Sequence, residues 1–279
     1  MLSRRRFLIT SAGLVTGAAG VGVYTRYVEP QWLEITHHAM RIRDLPGALV
    51  GKTLIQLSDI HVGPNVPDDY VLETFNRVRA FEPDIVVYTG DFTSRHEGLY
   101  GHAERIYSHM ALGALGTFAS LGNHDYGVDW SHPEDAARIA GILRNLGVTV
   151  LVNQMAHVAG LQIVGLGDLW SRQFAPRQAF ADVAPNAPAI ALSHNPDTAD
   201  LTGWLPFSGW ILAGHTHGGQ CKSPFLPPPV LPVKNKRYTS GAFVLTHDRQ
   251  MYISRGVGTV LPVRFAVRPE VTVFTLDAA

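Results

Sequence analysis

Short apolar runs that end abruptly on a polar or glycine-bearing tip recur along this chain. Thr53–Ser58 runs into Asp59-Ile60-His61, Asp84–Thr89 into Gly90-Asp91, and Thr117–Leu121 into Gly122-Asn123-His124-Asp125. Ala189–Ser193 runs into His194, and Trp210–Ala213 into Gly214-His215-Thr216-His217-Gly218-Gly219. Short continuous apolar runs bounded by turn residues read as buried strands. Between them, Val71, Leu72, Phe75 and Val78 recur at helical spacing and predict a helix beginning near Asp68. A second helix is expected after Ser131-His132-Pro133-Glu134, with Ser131 as its N-cap and Pro133 in its first turn. Ile139, Ile142, Leu143 and Leu146 would form its apolar face, and Gly147 would end it. Ser94–Tyr107 is polar and reads as a loop and helix over the strand tips, carrying the solvated His96 and His102.

The remaining strands are Trp32–Arg43 at an edge, Val148–Val152, Leu161–Leu166, Ala242–Thr246, Met251–Ser254 and Val271–Leu276. His37 and His38 fall on the edge strand, away from any strand tip. Lys222–Pro232 holds too many prolines for a central strand and reads as a stiff loop beside the histidine pair. It is a candidate substrate wall or membrane-facing lip. Lys234, Lys236, Arg237 and the Arg255-Gly256-Val257-Gly258 turn are candidate phosphate contacts.

Composition narrows the classes. With 46% hydrophobic and 16% charged residues in 279, the chain can build a real core and is not mainly disordered. Lys plus Arg equals Asp plus Glu at 23 each, so no nucleic-acid surface is indicated. The single cysteine, Cys221, excludes an internal disulfide framework and reads as an inert thiol. Ser3-Arg4-Arg5-Arg6-Phe7-Leu8, followed by a weakly apolar stretch from Ile9 to about Val23, resembles a twin-arginine export signal. That predicts residues 1–30 as signal or uncleaved membrane anchor and 31–279 as one domain. The protein would then engage the twin-arginine export machinery and reach the periplasm or cell envelope. Gly17-Ala18-Ala19 is the nearest approach to a cleavage site, while Tyr24, Arg26, Tyr27 and Trp32 would suit an interfacial anchor. No other stretch is long and apolar enough to cross a bilayer.

The strand tips carry Asp, His and Asn, a hard-to-borderline donor set that suits divalent transition metals. Ligands in α/β proteins bind beyond the carboxyl ends of strands. On an extended backbone, positions i and i+2 point the same way, so His215 and His217 are expected to approach one centre together.

In their order and strand context, the Asp59-x-His61, Gly90-Asp91, Gly122-Asn123-His124-Asp125, His194 and Gly214-His215-x-His217 motifs together resemble the calcineurin-like metallophosphoesterase superfamily. Within it they look most like the exported bacterial phosphodiesterases. The resemblance implies an α/β fold, a four-layer α-β-β-α sandwich with two mixed central sheets. It implies two divalent transition metal ions, with Mn²⁺ or Zn²⁺ expected and Fe or Ni as further choices. Asp59, His61 and His217 would hold the first, Asn123, His194 and His215 the second, and Asp91 would bridge them. A hydroxide shared by the metals would attack phosphorus, His124 would protonate the leaving group, and Asp125 would orient the His124 ring. The substrate would be a phosphoester, small or lipid-borne, and the protein is expected to act as a monomer. Two other readings stand beside it: a pyrophosphatase acting on a UDP-diacylglucosamine type of lipid, and a non-catalytic, metal-stabilised binding module of the envelope.

Overall fold

The five apolar runs that end on candidate ligands are all strands, and they are divided between two sheets. The computed structural model describes residues 15–94, 98–185, 187–204, 207–223 and 225–279. The first sheet contains β1 (Glu34–Ile42), β2 (Thr53–Leu57), β3 (Ile85–Thr89), β4 (Gly116–Ser120), β5 (Thr149–Val150) and β12 (Glu270–Ala278), in the order β1-β12-β2-β3-β4-β5. The second contains β6 (Gln154–Val158), β7 (Leu161–Gly165), β8 (Ala189–Leu192), β9 (Gly209–Ala213), β10 (Gly241–Val244) and β11 (Arg249–Ile253), in the order β10-β11-β9-β8-β7-β6. Both sheets are mixed. The ligand-bearing β2, β3 and β4 are mutually parallel, as are β8 and β9, so their tips emerge on one side.

Alternation along the strands builds the layers. Leu54, Ile85, Val87 and Phe118 face inward and meet Ile163, Ile190, Leu192 and Leu212 of the other sheet. Ile55, Leu57, Val86 and Tyr88 face outward under helices α2 (Asp68–Arg79), α3 (Tyr100–Tyr107) and α4 (Pro133–Asn145). The outer face of the second sheet presents Val164, Ala191 and Ile211 to Phe180, Trp204 and Phe207. Its cover is thinner than the other outer layer. Among the described residues it has the four-residue α5 (Pro176–Ala179) and a 3-10 turn at Pro196–Asp200, with irregular chain between.

Three local expectations need correction. Strand β6 lies where no strand was predicted, because its sequence Gln-Met-Ala-His-Val is half polar and sits at a sheet edge. It pairs with β7 through Ala159-Gly160, both at positive φ, a two-residue hairpin turn. The N-cap of α4 is His132, not Ser131, because Pro133 takes the first helical position. Ser131 Oγ donates instead to Asp129 at 2.7 Å. The strand expected over Val148–Val152 shrinks to the two residues of β5.

At the N-terminal side, a helix, α1, covers 15–23 and passes into a π-helical turn at Tyr24–Val28 and a 3-10 turn at Glu29–Gln31. This segment packs on the body: the buried Glu29 carboxylate accepts from the Ala266 and Val267 amides at 3.0 and 2.6 Å. The Arg4–Leu8 signature and His96 lie outside the described residues. Among the described residues, no helix is long and apolar enough to cross a membrane.

Candidate metal centre

Where β2, β3 and β9 end, the backbone turns into the left-handed region. Asp59, His61, Asp91, His215 and His217 have φ of 52°, 53°, 55°, 69° and 49°. Residues other than glycine hold such a conformation only where the surroundings impose it, commonly at functional sites. The extended-strand expectation for the histidine pair therefore fails. With both residues left-handed, His217 turns toward Asp59 and His61, whereas His215 turns toward Asp91 and His194.

Two buried groups result. The ligand atoms of Asp59, His61 and His217 lie within 4.8 Å of one another, and so do those of Asp91, His194 and His215. In the first, His61 Nε2 is 3.1 Å from His217 Nε2, which is 3.3 Å from Asp59 Oδ1. In the second, His194 Nε2 is 3.2 Å from His215 Nδ1. Asp91 Oδ2 stands between them, 3.5 Å from His61 Nε2 and 3.3 Å from His194 Nε2.

Backbone carbonyls fix two of the rings. His194 Nδ1 donates to Thr89 O at 2.8 Å, which turns its Nε2 toward Asp91. His215 Nε2 donates to Pro232 O at 2.8 Å, which leaves Nδ1 as the free lone pair. Such an outer partner is what a metal-ligating histidine normally has. Burial pushes His61 and His217 down to about 3, so both rings are neutral and able to donate a lone pair. His194 goes the other way. Burial opposes its protonation, but Asp91 overcomes this and holds it well above the ordinary value. Burial would raise Asp91, yet His194 and His124 hold it well below the usual range. A cation held at Asp91 Oδ2 would take the place of that proton and free the His194 Nε2 lone pair.

The residues fit a cation pair on a further observation. Both side-chain polar atoms of Asn123 are buried without a hydrogen-bond partner, as is His61 Nδ1. A buried amide left unpaired costs about 1–3 kcal/mol, so Asn123 calls for a ligand. The close glycines are equally telling. A side chain at Gly214 would strike Ser58 Oγ and the Asp59 carboxylate, and one at Gly122 would strike Asp91.

His124 lies at the tip of β4, its amide donating to Asp91 Oδ1 at 2.8 Å and its ring edge-on to His61 with centroids 4.9 Å apart. The Asp125 carboxylate is anchored to four backbone amides. Oδ1 accepts from Phe92 and Thr93, and Oδ2 from Asp91 and Gly122, at 2.8 to 3.2 Å. It thereby ties the Asp91 loop to the Asn123 loop. Burial and the nearby Asp91 push Asp125 up to about 7, against those amides.

A cavity of about 290 Å³ opens beside this centre, lined by Asp91, His124, Trp170 and the histidine pair on one side and by Pro229, Val230, Pro232 and Leu261 on the other. The proline-rich loop is thus a wall of the site, as expected. The basic candidates fare differently. Arg255 is committed to Glu34 and Glu270 at 2.9 and 3.0 Å, and Lys236 Nζ donates to the Leu231 and Val233 carbonyls. Neither points to phosphate. Lys234 lines a groove on the far side of Trp170. His37 and His38 pack at a tilt against Phe81 and Tyr252 at the edge, and His102 contacts Asp68 at 2.8 Å. Cys221 is a half-buried free thiol, its pKa raised by burial.

The sequence reading missed two neighbours. Trp170 packs edge-on against His215 with centroids 4.3 Å apart, and Arg264 lies wholly buried behind His217. Gly167-Asp168-Leu169-Trp170, another strand followed by a polar tip, was a signal for the first. Nothing local marked the second.

The profile of the calcineurin-like phosphoesterase family matches residues 52–219, which span β2 through the histidine pair. The chain is 34% identical to phosphodiesterase YaeI of Escherichia coli over 99% of its own length and 100% of that protein. It is 33% identical to metallophosphoesterase YkuE of Bacillus subtilis, over 99% and 98% respectively. It is 28% identical to UDP-2,3-diacylglucosamine pyrophosphatase LpxG of Chlamydia trachomatis, over 89% and 91%. The tips of β2, β3, β4, β8 and β9, the paired buried triads and these likenesses lead to one assignment: the chain belongs to the calcineurin-like phosphoesterase family, hydrolases that act on phosphoester bonds.

Proposed function

We propose that this chain is a dinuclear-metal phosphodiesterase. The observation that carries the reading is that a single oxygen, Asp91 Oδ2, faces His61 of one triad and His194 of the other. Asp59, His61 and His217 would hold the first ion, His194, His215 and the otherwise unpaired Asn123 would hold the second, and Asp91 would serve both. Bound there, two divalent cations supply Lewis acidity toward phosphoryl oxygens and acidify water at neutral pH. Mn²⁺ or Zn²⁺ fits a donor set of carboxylate, amide and imidazole, with Fe or Ni as alternatives.

The protein groups do the rest. Thr89 O and Pro232 O hold the His194 and His215 rings so that their lone pairs converge. His124, on the cavity wall next to both triads, gives the departing alkoxide its proton, while Asp125 fixes the loop from which His124 projects. Trp170 and the prolines exclude water from one side of the cavity.

The likeness to YaeI favours phosphodiesters; the apolar wall and the likeness to LpxG favour a second reading, a lipid-linked pyrophosphate. Export by the twin-arginine route to the envelope, with or without anchoring, is part of the proposal and rests on Arg4-Arg5-Arg6-Phe7-Leu8. A panel of phosphomonoesters, phosphodiesters and a UDP-linked lipid, assayed with Mn²⁺- or Zn²⁺-reconstituted protein, tests it. Turnover should be highest on a diester. Metal binding without chelator-sensitive turnover on any substrate would leave a binding module instead.

A further inference from the structure

The rim of the cavity is apolar where the surface should be polar. Val230 and Leu261, 69% and 63% exposed, stand on two different loops that both line the cavity. Phe225 and Leu226, 90% and 68% exposed, continue the proline-rich loop beyond it. The loops are tied together: Gln220 Nε2 donates to the Leu261 and Val263 carbonyls at 2.7 and 2.8 Å, and the Lys222 amide donates to Phe265 O at 2.8 Å. The N-terminal segment joins the same place. The Arg264 amide donates to Thr25 O at 3.0 Å, so α1 and its exposed Val21 and Val23 leave the body beside the rim.

Single exposed apolar residues are ordinary, but a group of them around a site opening marks an interaction surface. Charge identifies the occupant. The exposed Lys222 stands on the proline-rich loop, the exposed Arg26 follows Thr25 on the N-terminal segment, and residues 221–233 carry no acid. Apolar tips flanked by such cations fit an anionic bilayer, where side chains enter the acyl boundary and cations meet headgroup phosphates.

We propose that this rim seats on an anionic lipid bilayer, so that the substrate is an amphiphilic phosphodiester drawn into the cavity from the membrane. The inference rests on the phosphodiesterase reading above. Water adds to phosphorus as the P–O bond to one alcohol breaks. That alcohol leaves with a proton, and the phosphomonoester stays with the other group.

The test uses the full chain, reconstituted with Mn²⁺, and two nitrophenyl phosphodiesters, one short and soluble and one with a long alkyl chain carried in vesicles. The vesicles are phosphatidylcholine alone or phosphatidylcholine with phosphatidylglycerol. The vesicle-borne diester should be cleaved faster on the anionic vesicles, and high salt should reduce that advantage. The double variant Phe225→Ser with Leu226→Ser should keep the soluble rate and lose about tenfold on the anionic vesicles. Equal rates for wild type and variant on vesicles, or no preference for anionic vesicles, would overturn the docking surface. A wild type that dimerises through Phe225 and Leu226, shown by light scattering of both proteins, would overturn it in favour of a second copy. No turnover of the soluble diester by wild type would instead sink the phosphodiesterase reading itself.

Discussion

Arg264 Nη2 lies 3.4 Å from His217 Nδ1, and the same guanidinium donates to the carbonyls of Arg255, Gly256, Gly258 and Val267. It is the bulkiest fully buried side chain among the described residues. Burial and then its charge keep the His217 ring from protonating. The loop that bears Arg264 is in turn clamped by Glu29 and Thr25. The backs of the first triad and of the N-terminal segment therefore rest on one residue.

Replacing Arg264 by Met should strand four carbonyls, three of them buried, at a cost on the order of 3 kcal/mol or more. Urea unfolding would read this directly. Elemental analysis should show poorer retention of metal, and Arg264→Lys should fall between the two.

Asp91→Asn keeps the shape but removes the charge shared by the triads. Elemental analysis should find both ions depleted and turnover nearly gone, with far-ultraviolet circular dichroism unchanged. Dialysis of the wild type against EDTA should abolish turnover, and Mn²⁺ or Zn²⁺ should restore it. Wild-type metal content and rate in the variant would remove Asp91 from its bridging role.

His124→Ala should leave metal content intact and reduce kcat by about 10²–10⁴ on a diester with a poor leaving group. With nitrophenolate, which departs without a proton, the loss should be smaller. An equal loss on both substrates would show that His124 does not act as the acid.

Glu270 predicts an acid-side loss of stability. Burial would raise it, but Arg255, Tyr252 and Thr36 hold it below its ordinary 4.5, with contacts of 2.6 to 3.0 Å. A depressed carboxylate stabilises the fold fully above 4.5 and loses that contribution as pH falls through its native value. Glu270→Gln should unfold more readily at neutral pH and show a flatter stability profile below pH 4.5.

Much of this was readable in the chain because strands carry their signal locally. The five apolar runs before Asp59, Asp91, Asn123, His194 and His215 gave strands and the candidate ligands at their tips in one pass. What the runs could not tell was direction. The left-handed turn at His215 and His217, which sends the two rings to different triads, depends on Asp59 oxygens receiving the His215 amide from a strand 156 residues earlier. Strand β6 was hidden because an edge strand needs no apolar alternation. Arg264 was hidden because an arginine surrounded by Val, Phe and Ala looks like any surface cation until distant carbonyls close over it. The resemblance of the motifs supplied the division of ligands that periodicity alone left open.

The clamp at Glu29 has a mechanical outcome. Helix α1 runs into Tyr24–Gln31 without a slack tether, and that stretch is fastened to the loop carrying Leu261 and Phe265. A force that turns helix α1 therefore turns the loop carrying Leu261 and Phe265 with it, like a hand on a short handle rather than a leash.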